Sequence, residues 1–310
     1  MTTPFILTVN GTGDPDPTDT TGFSGMLGSM VGGVNPWQIV ADKLDGIETP
    51  EPPYIWQPIG YPAAVMPMRP SFMNAVSQLD AALGVDPDTL DWYGGPVYQG
   101  LVFSSGKGVL SGYSQGSCAT NYVWQQHIYP EDGILHNRID DILSVVNFGD
   151  VFRTPSVANG CTYQGIPVPP EQDGAATGGI GGPLDLTVDE TNYPNVLGKP
   201  VVMSWCLPKD LYGSSPVGLN PWTDEASAGF VGTSIMNFIF NESFTSFVEI
   251  AEDLGHPIGM VEEIYNGLVF AIGSVQIGAN GYPVAPHWQY SNEGCVASAA
   301  QYLTELANSL

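Results

Sequence analysis

Basic residues are scarce in this sequence. Its 310 residues include 7 lysines and arginines against 32 aspartates and glutamates, which gives a formal net charge of −25 at pH 7. Proteins that bind nucleic acid neutralise phosphates with clustered lysine and arginine side chains, and docking on anionic membranes needs the same residues. The composition therefore argues against both kinds of partner. The simplest interpretation of the acidic residues is a solvated surface.

Long apolar runs are missing as well. A membrane-spanning helix needs about 18 consecutive apolar residues, and the sequence contains no such run. The N-terminal stretch MTTPFILTV also lacks the basic start of a secretory signal peptide, and its apolar segment is short. We therefore expect a protein without a membrane span that is made in the cytoplasm and needs another protein for any export.

Cysteine is rare, with 4 residues in the whole chain. Cys118, Cys161, Cys206 and Cys295 are too scattered for a disulfide framework, and none belongs to the CxxC pair typical of a zinc site. If all four were oxidised, they would allow about three different pairings. We expect no metal and no cofactor.

The sequence does contain short apolar segments that alternate with segments of helical periodicity. Apolar residues make up 43% of the chain, as in globular proteins. Alternation of this kind predicts an α/β fold with a mostly parallel central sheet. The predicted strands are Phe5–Val9, 54–61, Gly108–Tyr113, Ile142–Phe148 and 200–206, and the predicted helices are 37–44, 72–83 with Ser71 as its N-cap, 115–128 and 292–310.

The chain is expected to divide into a core and an insertion. Residues 159–193 are rich in glycine and proline, which predicts a long irregular connection. Residues 230–254 and 260–277 have the apolar spacing of two amphipathic helices. The predicted organisation is a core at 1–211, a helical insertion at 212–283 and a return to the core at 284–310.

The stretch Gly112-Tyr113-Ser114-Gln115-Gly116 matches the motif G-x-S-x-G. In that motif the serine lies on a sharp strand-to-helix turn, and the two glycines let the strand and the helix pass without a Cβ clash. The helix N-terminus behind the serine favours a developing oxyanion. Here the motif follows a predicted strand and begins a predicted helix, and no other serine has this glycine frame. The sequence predicts that Ser114 is a nucleophile.

Four histidines are candidates for the general base. His127 lies 13 residues beyond Ser114 on one predicted helix, about 20 Å away at a rise of about 1.5 Å per residue. His136 precedes the next strand and so lies at the opposite end of the sheet, and His256 falls in the turn between the insertion helices. His287 lies on a loop before the final helix, where such a fold presents its base. We predict His287 as the base.

Two aspartates are candidates for the acid that orients the base. Asp210 follows the strand at 200–206, and Asp150 follows the strand Ile142–Phe148. Both lie at carboxyl ends of strands, where sites form in parallel sheets. Both also fit the chain order serine, acid, histidine, and position alone favours Asp210 only modestly, so both remain open at this point.

These motifs, in this order, resemble those of the cutinase-like serine esterases, and within them the mycobacteriophage Lysin B family. The resemblance covers nearly the whole chain, although GYSQG and C-x-x-x-D are shared by cutinases at large. It implies an α/β-hydrolase fold with a helical insertion between the catalytic acid and the histidine. The matching segments are LTVNGTGDPD at 7–16, WQPIGYPA at 56–63, GYSQG at 112–116, FGDVFR at 148–153, CLPKD at 206–210 and HWQY at 287–290.

The resemblance implies a role for five residues. Ser114 corresponds to the nucleophile, His287 to the base and Asp210 to the acid, because FGDVFR matches a segment that is not catalytic in the family. The backbone N–H of Gln115 corresponds to one half of the oxyanion hole, and Thr12 to the other half.

The resemblance also has departures. Cutinases bridge a cysteine before the acid to one shortly after it, whereas Gly213 stands where the partner of Cys206 would be. We therefore expect this disulfide to be absent.

In the insertion, most of the apolar residues are expected in the core, and some of them could line a groove for a long acyl chain. The candidates are Phe238, Phe240, Phe244 and Phe247.

Members of this family cut the ester that joins mycolic acids to arabinogalactan in the host cell envelope. The resemblance implies the same activity here, on mycolyl-arabinogalactan or another lipid ester. It implies a protein, expected as a monomer, that is made in the host cytoplasm and acts on the envelope after release. Two alternatives stay open, a general cutinase or lipase, and a phage virion protein on an esterase fold without activity.

Overall fold

A computed structural model gives the fold of the chain. The described residues are 3–17, 19, 22–45, 51–64, 68–163, 165–171, 176–181, 193–217, 276–277, 283–284 and 286–310. The predicted insertion helix at 230–254 and the four insertion phenylalanines lie outside these residues. So does most of the helix predicted at 260–277.

A six-stranded sheet forms the centre of the molecule, and its strands run in the order β2-β3-β1-β4-β5-β7. Every neighbouring pair in it is parallel. In chain order, the strands of the described residues are β1 (Phe5–Val9), β2 (Gly33–Val34), β3 (Tyr54–Ile59), β4 (Gly108–Tyr113), β5 (Ile142–Phe148), β6 (Thr177–Gly178), β7 (Val202–Trp205), β8 (Ser215–Pro216), β9 (Gln276–Ile277) and β10 (Pro283–Val284). Strand β6 pairs with β8, and β9 pairs with β10, outside the central sheet. Within the central sheet, all strands point the same way. The last residues of β1, β4, β5 and β7 therefore meet at one edge of the sheet, which we call the carboxyl edge.

Helices cover both faces of the sheet. They are α1 (Phe23–Met30), α2 (Pro36–Leu44), α3 (Met68–Ala82), α4 (Gln115–Tyr122), α5 (Asn159–Tyr163) and α6 (Cys295–Asn308). Side chains alternate along β1, so that Phe5 and Leu7 pack in the cluster with α3 and α4, and Ile6 packs in the cluster with α1 and α6. Burial on both faces explains why the strands have continuous apolar runs rather than alternating ones.

All five strands predicted from the sequence are present. Strand β2 of the central sheet was not predicted, because its two residues are too few to show a hydrophobic pattern. The helix predicted at 72–83 begins earlier, at Met68, so the prediction of Ser71 as its N-cap was wrong. Pro70 falls in the first turn, where a missing N–H has no helical acceptor to lose. Ser71 accepts a hydrogen bond from the N–H of Ala64 instead (2.9 Å).

Two further helix predictions need correction. The helix predicted at 115–128 is α-helical to Tyr122 and continues as a π-helix over Val123–Ile128. The end of the helix predicted at 260–277 is not helical, because Gln276–Ile277 pairs as a strand with Pro283–Val284. Across the described ranges, no helix has the length and apolar character needed to cross a membrane.

Candidate active site

Ser114 lies on the turn between β4 and α4, with φ 54° and ψ −120°. A positive φ is strained for a residue with a side chain and persists only where the surroundings fix it. Here the N–H of Ser114 donates to the carbonyl of Phe148 at the end of β5 (3.0 Å). The serine is thus held at the carboxyl edge in the conformation that a nucleophile elbow requires.

The glycines two residues on either side of Ser114 are enforced by backbone contacts. A Cβ on Gly112 would lie 2.4 Å from the carbonyl oxygen of Gly116, and a Cβ on Gly116 would lie 2.3 Å from that of Val9. Both distances are below any real Cβ contact. Strand β4 and helix α4 can pass each other and β1 only when both positions are glycine.

Asp210 and His287 form a buried pair at the same edge. Asp210 follows β7, and His287 lies in the short 3₁₀ helix Pro286–Trp288 before α6. The Nδ1 atom of His287 is 2.9 Å from each carboxylate oxygen of Asp210. The exposed fraction is 5% for His287 and 0% for Asp210. Because a carboxylate accepts, Nδ1 carries the proton and Nε2 is left with its lone pair.

The Asp210 carboxyl is kept ionised by its neighbours. Burial by itself raises its pKa, but attraction to His287 and hydrogen bonds from His287, the Tyr290 hydroxyl and the Tyr212 N–H together hold the pKa below its usual value. An ionised carboxylate at this position stabilises a positive charge on the imidazole. The pair can therefore act as a general base assisted by a fixed negative charge.

Contacts through Tyr113 and Gly149 join this pair to the elbow. Tyr113, which precedes Ser114, donates its hydroxyl to the carbonyl of His287 (2.7 Å), and its ring stacks on the imidazole with centroids 5.1 Å apart. A Cβ on Gly149 would lie 2.7 Å from Cε1 of His287 and 3.1 Å from Oδ2 of Asp210. Nε2 of His287 is buried and has no hydrogen-bond partner among the described residues. Its lone pair thus makes no hydrogen bond in this structure, to Ser114 or to any other described residue.

The two residues expected at the oxyanion hole lie on loops that contact the elbow. Gln115 is the first residue of α4, so its N–H has no acceptor within the helix. Thr12 follows Gly11, where an added Cβ would lie 3.1 Å from the Cβ of Ser114. The N–H of Gly13 donates to the carbonyl of Ala63 (2.8 Å) and fixes this turn. Both backbones therefore lie beside Ser114.

Asp150, the rival acid, lies in a separate buried network. Its carboxylate accepts two hydrogen bonds from the Asn121 amide (2.9 Å each), one from the Phe152 N–H (3.0 Å) and one from the Ser204 hydroxyl (3.3 Å). Burial raises its pKa, and these donors offset that effect only in part. Within the described ranges, no histidine contacts it, so its partners indicate a structural role.

Two of the other histidines lie elsewhere. His127 Nδ1 is 2.8 Å from the carboxylate of Asp80 in α3, and His136 Nδ1 is 3.1 Å from the carbonyl of Ile128. The His127 pair escaped sequence analysis because it joins two helices 47 residues apart. His256 lies outside the described residues.

The four cysteines are buried and free. Gly213 lies next to Cys206, since a Cβ on Gly213 would lie 3.1 Å from the Sγ atom of Cys206. The thiol of Cys206 donates to the Gly213 carbonyl instead (2.9 Å). In the described part of the chain, no three His, Cys, Asp or Glu side chains come close enough to hold a metal ion.

A cavity of about 590 Å³ opens away from the elbow, and neither Thr12, Ser114, Asp210 nor His287 lines it. Its walls come mainly from the loops after β1 and β3 and from residues 96–100, and the described residues that line it carry no charged side chain. Trp37, which is 60% exposed, and Tyr98 supply aromatic surface to it. The cavity is therefore suited to an uncharged group.

Comparison with known proteins gives one consistent result. No protein-family model matches the chain. Endolysin B of Mycobacterium phage D29 and endolysin B of Mycobacterium phage L5 are each 32% identical over 164 residues, which are 51% of this chain and 50% of the relative. The chain resembles endolysin B. It spans about half the length of the curated relatives that it matches.

The crystal structure of lysin B from mycobacteriophage D29 has the same fold. It superposes with a TM-score of 0.62 and 23% sequence identity, covering 97% of this chain and 99% of that one. This similarity and the parallel sheet with helices on both faces confirm the predicted α/β-hydrolase fold. The division at 211/212 and 283/284 and the roles of the site residues stay predictions.

Proposed function

We propose that the chain is a serine carboxylic-ester hydrolase, with Ser114 as nucleophile, His287 as general base and Asp210 as the acid that orients it. One observation carries the proposal. A serine with strained backbone stands at a strand-to-helix turn, and the residue before it holds a buried, hydrogen-bonded Asp–His pair. The similarity to two endolysin B proteins supports it.

The proposed reaction is acyl transfer to water. Nε2 of His287 takes the proton of Ser114 as its oxygen attacks the ester carbonyl, and Asp210 stabilises the imidazolium that forms. The N–H of Gln115 and a donor of Thr12 hold the oxyanion. The imidazolium then protonates the leaving alcohol, and a water molecule activated by the same histidine releases the acid from Ser114.

The proposed substrate is the ester that joins mycolic acids to arabinogalactan in the host envelope. The support is the endolysin B similarity, and a phage enzyme with this role would be made in the host cytoplasm and reach the envelope at lysis. If the protein hydrolyses esters but shows no preference for this substrate, it would be a general cutinase or lipase. If it hydrolyses no ester, it would be a virion protein on this fold.

Purified mycolyl-arabinogalactan tests the proposal. The wild-type protein is expected to release free mycolic acid, detected by mass spectrometry, and Ser114→Ala is expected to lower the rate by about 10³-fold or more with folding intact. Hydrolysis of p-nitrophenyl butyrate in parallel separates the alternatives. Nitrophenyl ester cleavage without mycolic acid release favours a general esterase, and equal activity in Ser114→Ala contradicts the proposed nucleophile.

A further inference from the structure

Tyr290 lies three residues after His287; its ring packs edge-on against the imidazole (centroids 6.3 Å apart), and its hydroxyl contacts the acid. Its hydroxyl is 2.6 Å from Oδ2 of Asp210 and 3.2 Å from the backbone nitrogen of Leu207. A backbone N–H can only donate, so the hydroxyl accepts from Leu207 and directs its own proton to Asp210. Burial raises the pKa of Tyr290 well above its usual value, so the hydroxyl keeps that proton.

The two oxygens of Asp210 have different secondary donors. Nδ1 of His287 is equally distant from both, and so it cannot by itself fix the rotation of the carboxylate. The N–H of Tyr212 donates to Oδ1 (2.9 Å), and Tyr290 donates to Oδ2. In the described part of the chain, Tyr290 is the only side chain besides His287 that donates to this carboxylate. Its loss would leave Oδ2 with the histidine alone.

The ring of Tyr290 is itself held in place. It is buried, and it packs edge-on against Phe148 and Tyr113 with centroids 6.2 and 6.1 Å apart. Its carbonyl accepts from the N–H of Cys295 at the start of α6 (2.9 Å). The hydroxyl therefore approaches Asp210 from a rigid support, which is what a positioning group needs.

We propose that Tyr290 is a positioning residue, whose hydroxyl fixes the Asp210 carboxylate in the rotation that orients His287 and keeps that carboxylate ionised. This inference rests on the proposed esterase function. The Tyr290 hydroxyl hydrogen-bonds Asp210 and not His287, so loss of the hydroxyl with the ring kept acts on the imidazole through Asp210. Its effect should therefore depend on pH.

Tyr290→Phe removes the hydroxyl and keeps the ring. Without this donor, the pKa of Asp210 rises, and protonation of the carboxylate begins at a higher pH. A protonated Asp210 cannot stabilise the imidazolium, so the acid limb of kcat/KM for p-nitrophenyl butyrate should move to higher pH. The kcat at the pH optimum should fall about 10-fold, as expected for loss of a hydrogen bond that orients a catalytic group. KM should change little.

Tyr54→Phe is the matched control. Tyr54 is fully buried in the same apolar cluster, and its hydroxyl donates to a backbone carbonyl, that of Leu303 (2.7 Å). Its loss should lower thermal stability as much as that of the Tyr290 hydroxyl, but leave the pH profile unchanged. Should Tyr290→Phe fold poorly, 3-fluorotyrosine at position 290 keeps the ring and strengthens the donor, and the acid limb should then move to lower pH.

The outcomes separate this inference from the proposed function. If the wild-type protein is active and Tyr290→Phe has the same kcat and pH profile, the inference is overturned while the esterase function stands. If the wild-type protein hydrolyses no ester, that function fails, and NMR titration of the Asp210 carboxyl decides the inference. An upward shift of its titration in Tyr290→Phe, absent in Tyr54→Phe, supports the inference, and no shift contradicts it.

Discussion

Strained residues gather around the candidate site. Five non-glycine residues in the described ranges have positive φ, and three of them lie here. Ser114 forms the elbow, Lys209 precedes the acid, and Ala63 accepts the hydrogen bond that fixes the turn beside Thr12. Each such residue costs on the order of 1–3 kcal/mol. The strained residues thus lie where the backbone positions the nucleophile, the acid and the turn beside Thr12.

Asp210 and Asp150 show how residues in equivalent positions differ. Both follow a strand at the carboxyl edge and both are fully buried. A histidine and a tyrosine hydroxyl donate to Asp210, while an amide and a backbone N–H donate to Asp150. The side-chain partners come from distant parts of the chain, 29 to 80 residues away, and so the sequence around each aspartate could not separate them.

Asp210→Asn should lower kcat by about 10⁴-fold, because an amide neither stabilises the imidazolium nor fixes the protonated nitrogen of His287. Kinetics with p-nitrophenyl butyrate measure the effect, with circular dichroism as a check of folding. A kcat within about 10-fold of the wild-type value would exclude Asp210 as the acid.

Asp150→Asn is the matched substitution. An amide at 150 faces the Asn121 amide, so one donor loses its acceptor, and unfolding should be easier by about 1–3 kcal/mol while kcat of the folded protein is retained. Burial raises the pKa of Asp150 in the folded state. The carboxyl therefore stabilises the folded protein at pH values below its pKa in the unfolded chain. This contribution is lost as the pH rises through its pKa in the folded protein. Urea unfolding at several pH values should show that this loss is absent in the variant.

At the scale of elements, the long patterns in the sequence predicted most of the sheet. Strands β1, β3, β4, β5 and β7 are short, mostly apolar runs bounded by turns, and such runs are typical of buried parallel strands. The start of α3 was missed because Pro70 reads as a helix boundary, although the first turn tolerates it.

Contacts between elements were beyond the sequence. Tyr113 lies inside the elbow motif and Tyr290 lies beside the predicted base, yet neither position indicates what its hydroxyl contacts. The Tyr113 contact spans 174 residues and the Tyr290 contact spans 80. A local pattern carries no information on such pairs, which only the fold brings together.

The loop after β7 offers a test at this scale. A Cβ at position 213 would lie 3.1 Å from Sγ of Cys206, about the separation across a disulfide bond. Gly213→Cys should therefore form a disulfide with Cys206 under oxidation. Closing so short a loop should stabilise the protein by about 2 kcal/mol. Thermal unfolding with and without reductant measures this gain, and a thiol assay counts the free cysteines.

Gly213→Ser is the control, because it adds the same Cβ and a hydroxyl of similar size without a thiol. The serine variant should be slightly destabilised by the close backbone atoms of Gly149 and Asp150 and should not respond to reductant. If the cysteine variant retains all its thiols after oxidation, the geometry of this loop is contradicted.

At the scale of the whole molecule, the parallel order β2-β3-β1-β4-β5-β7 gathers the predicted residues at one edge. Ser114, Asp210 and His287 come from three distant segments, and the topology makes them neighbours of a common set of residues.

Covalent labelling tests the central claim most directly. A fluorophosphonate reacts with a serine only when a base and an oxyanion hole activate it. The wild-type protein should take up one equivalent, and mass spectrometry of the digest should place the phosphonyl group on Ser114. Ser114→Ala should remain unlabelled. An unlabelled wild-type protein, or an adduct on another residue, would contradict the account.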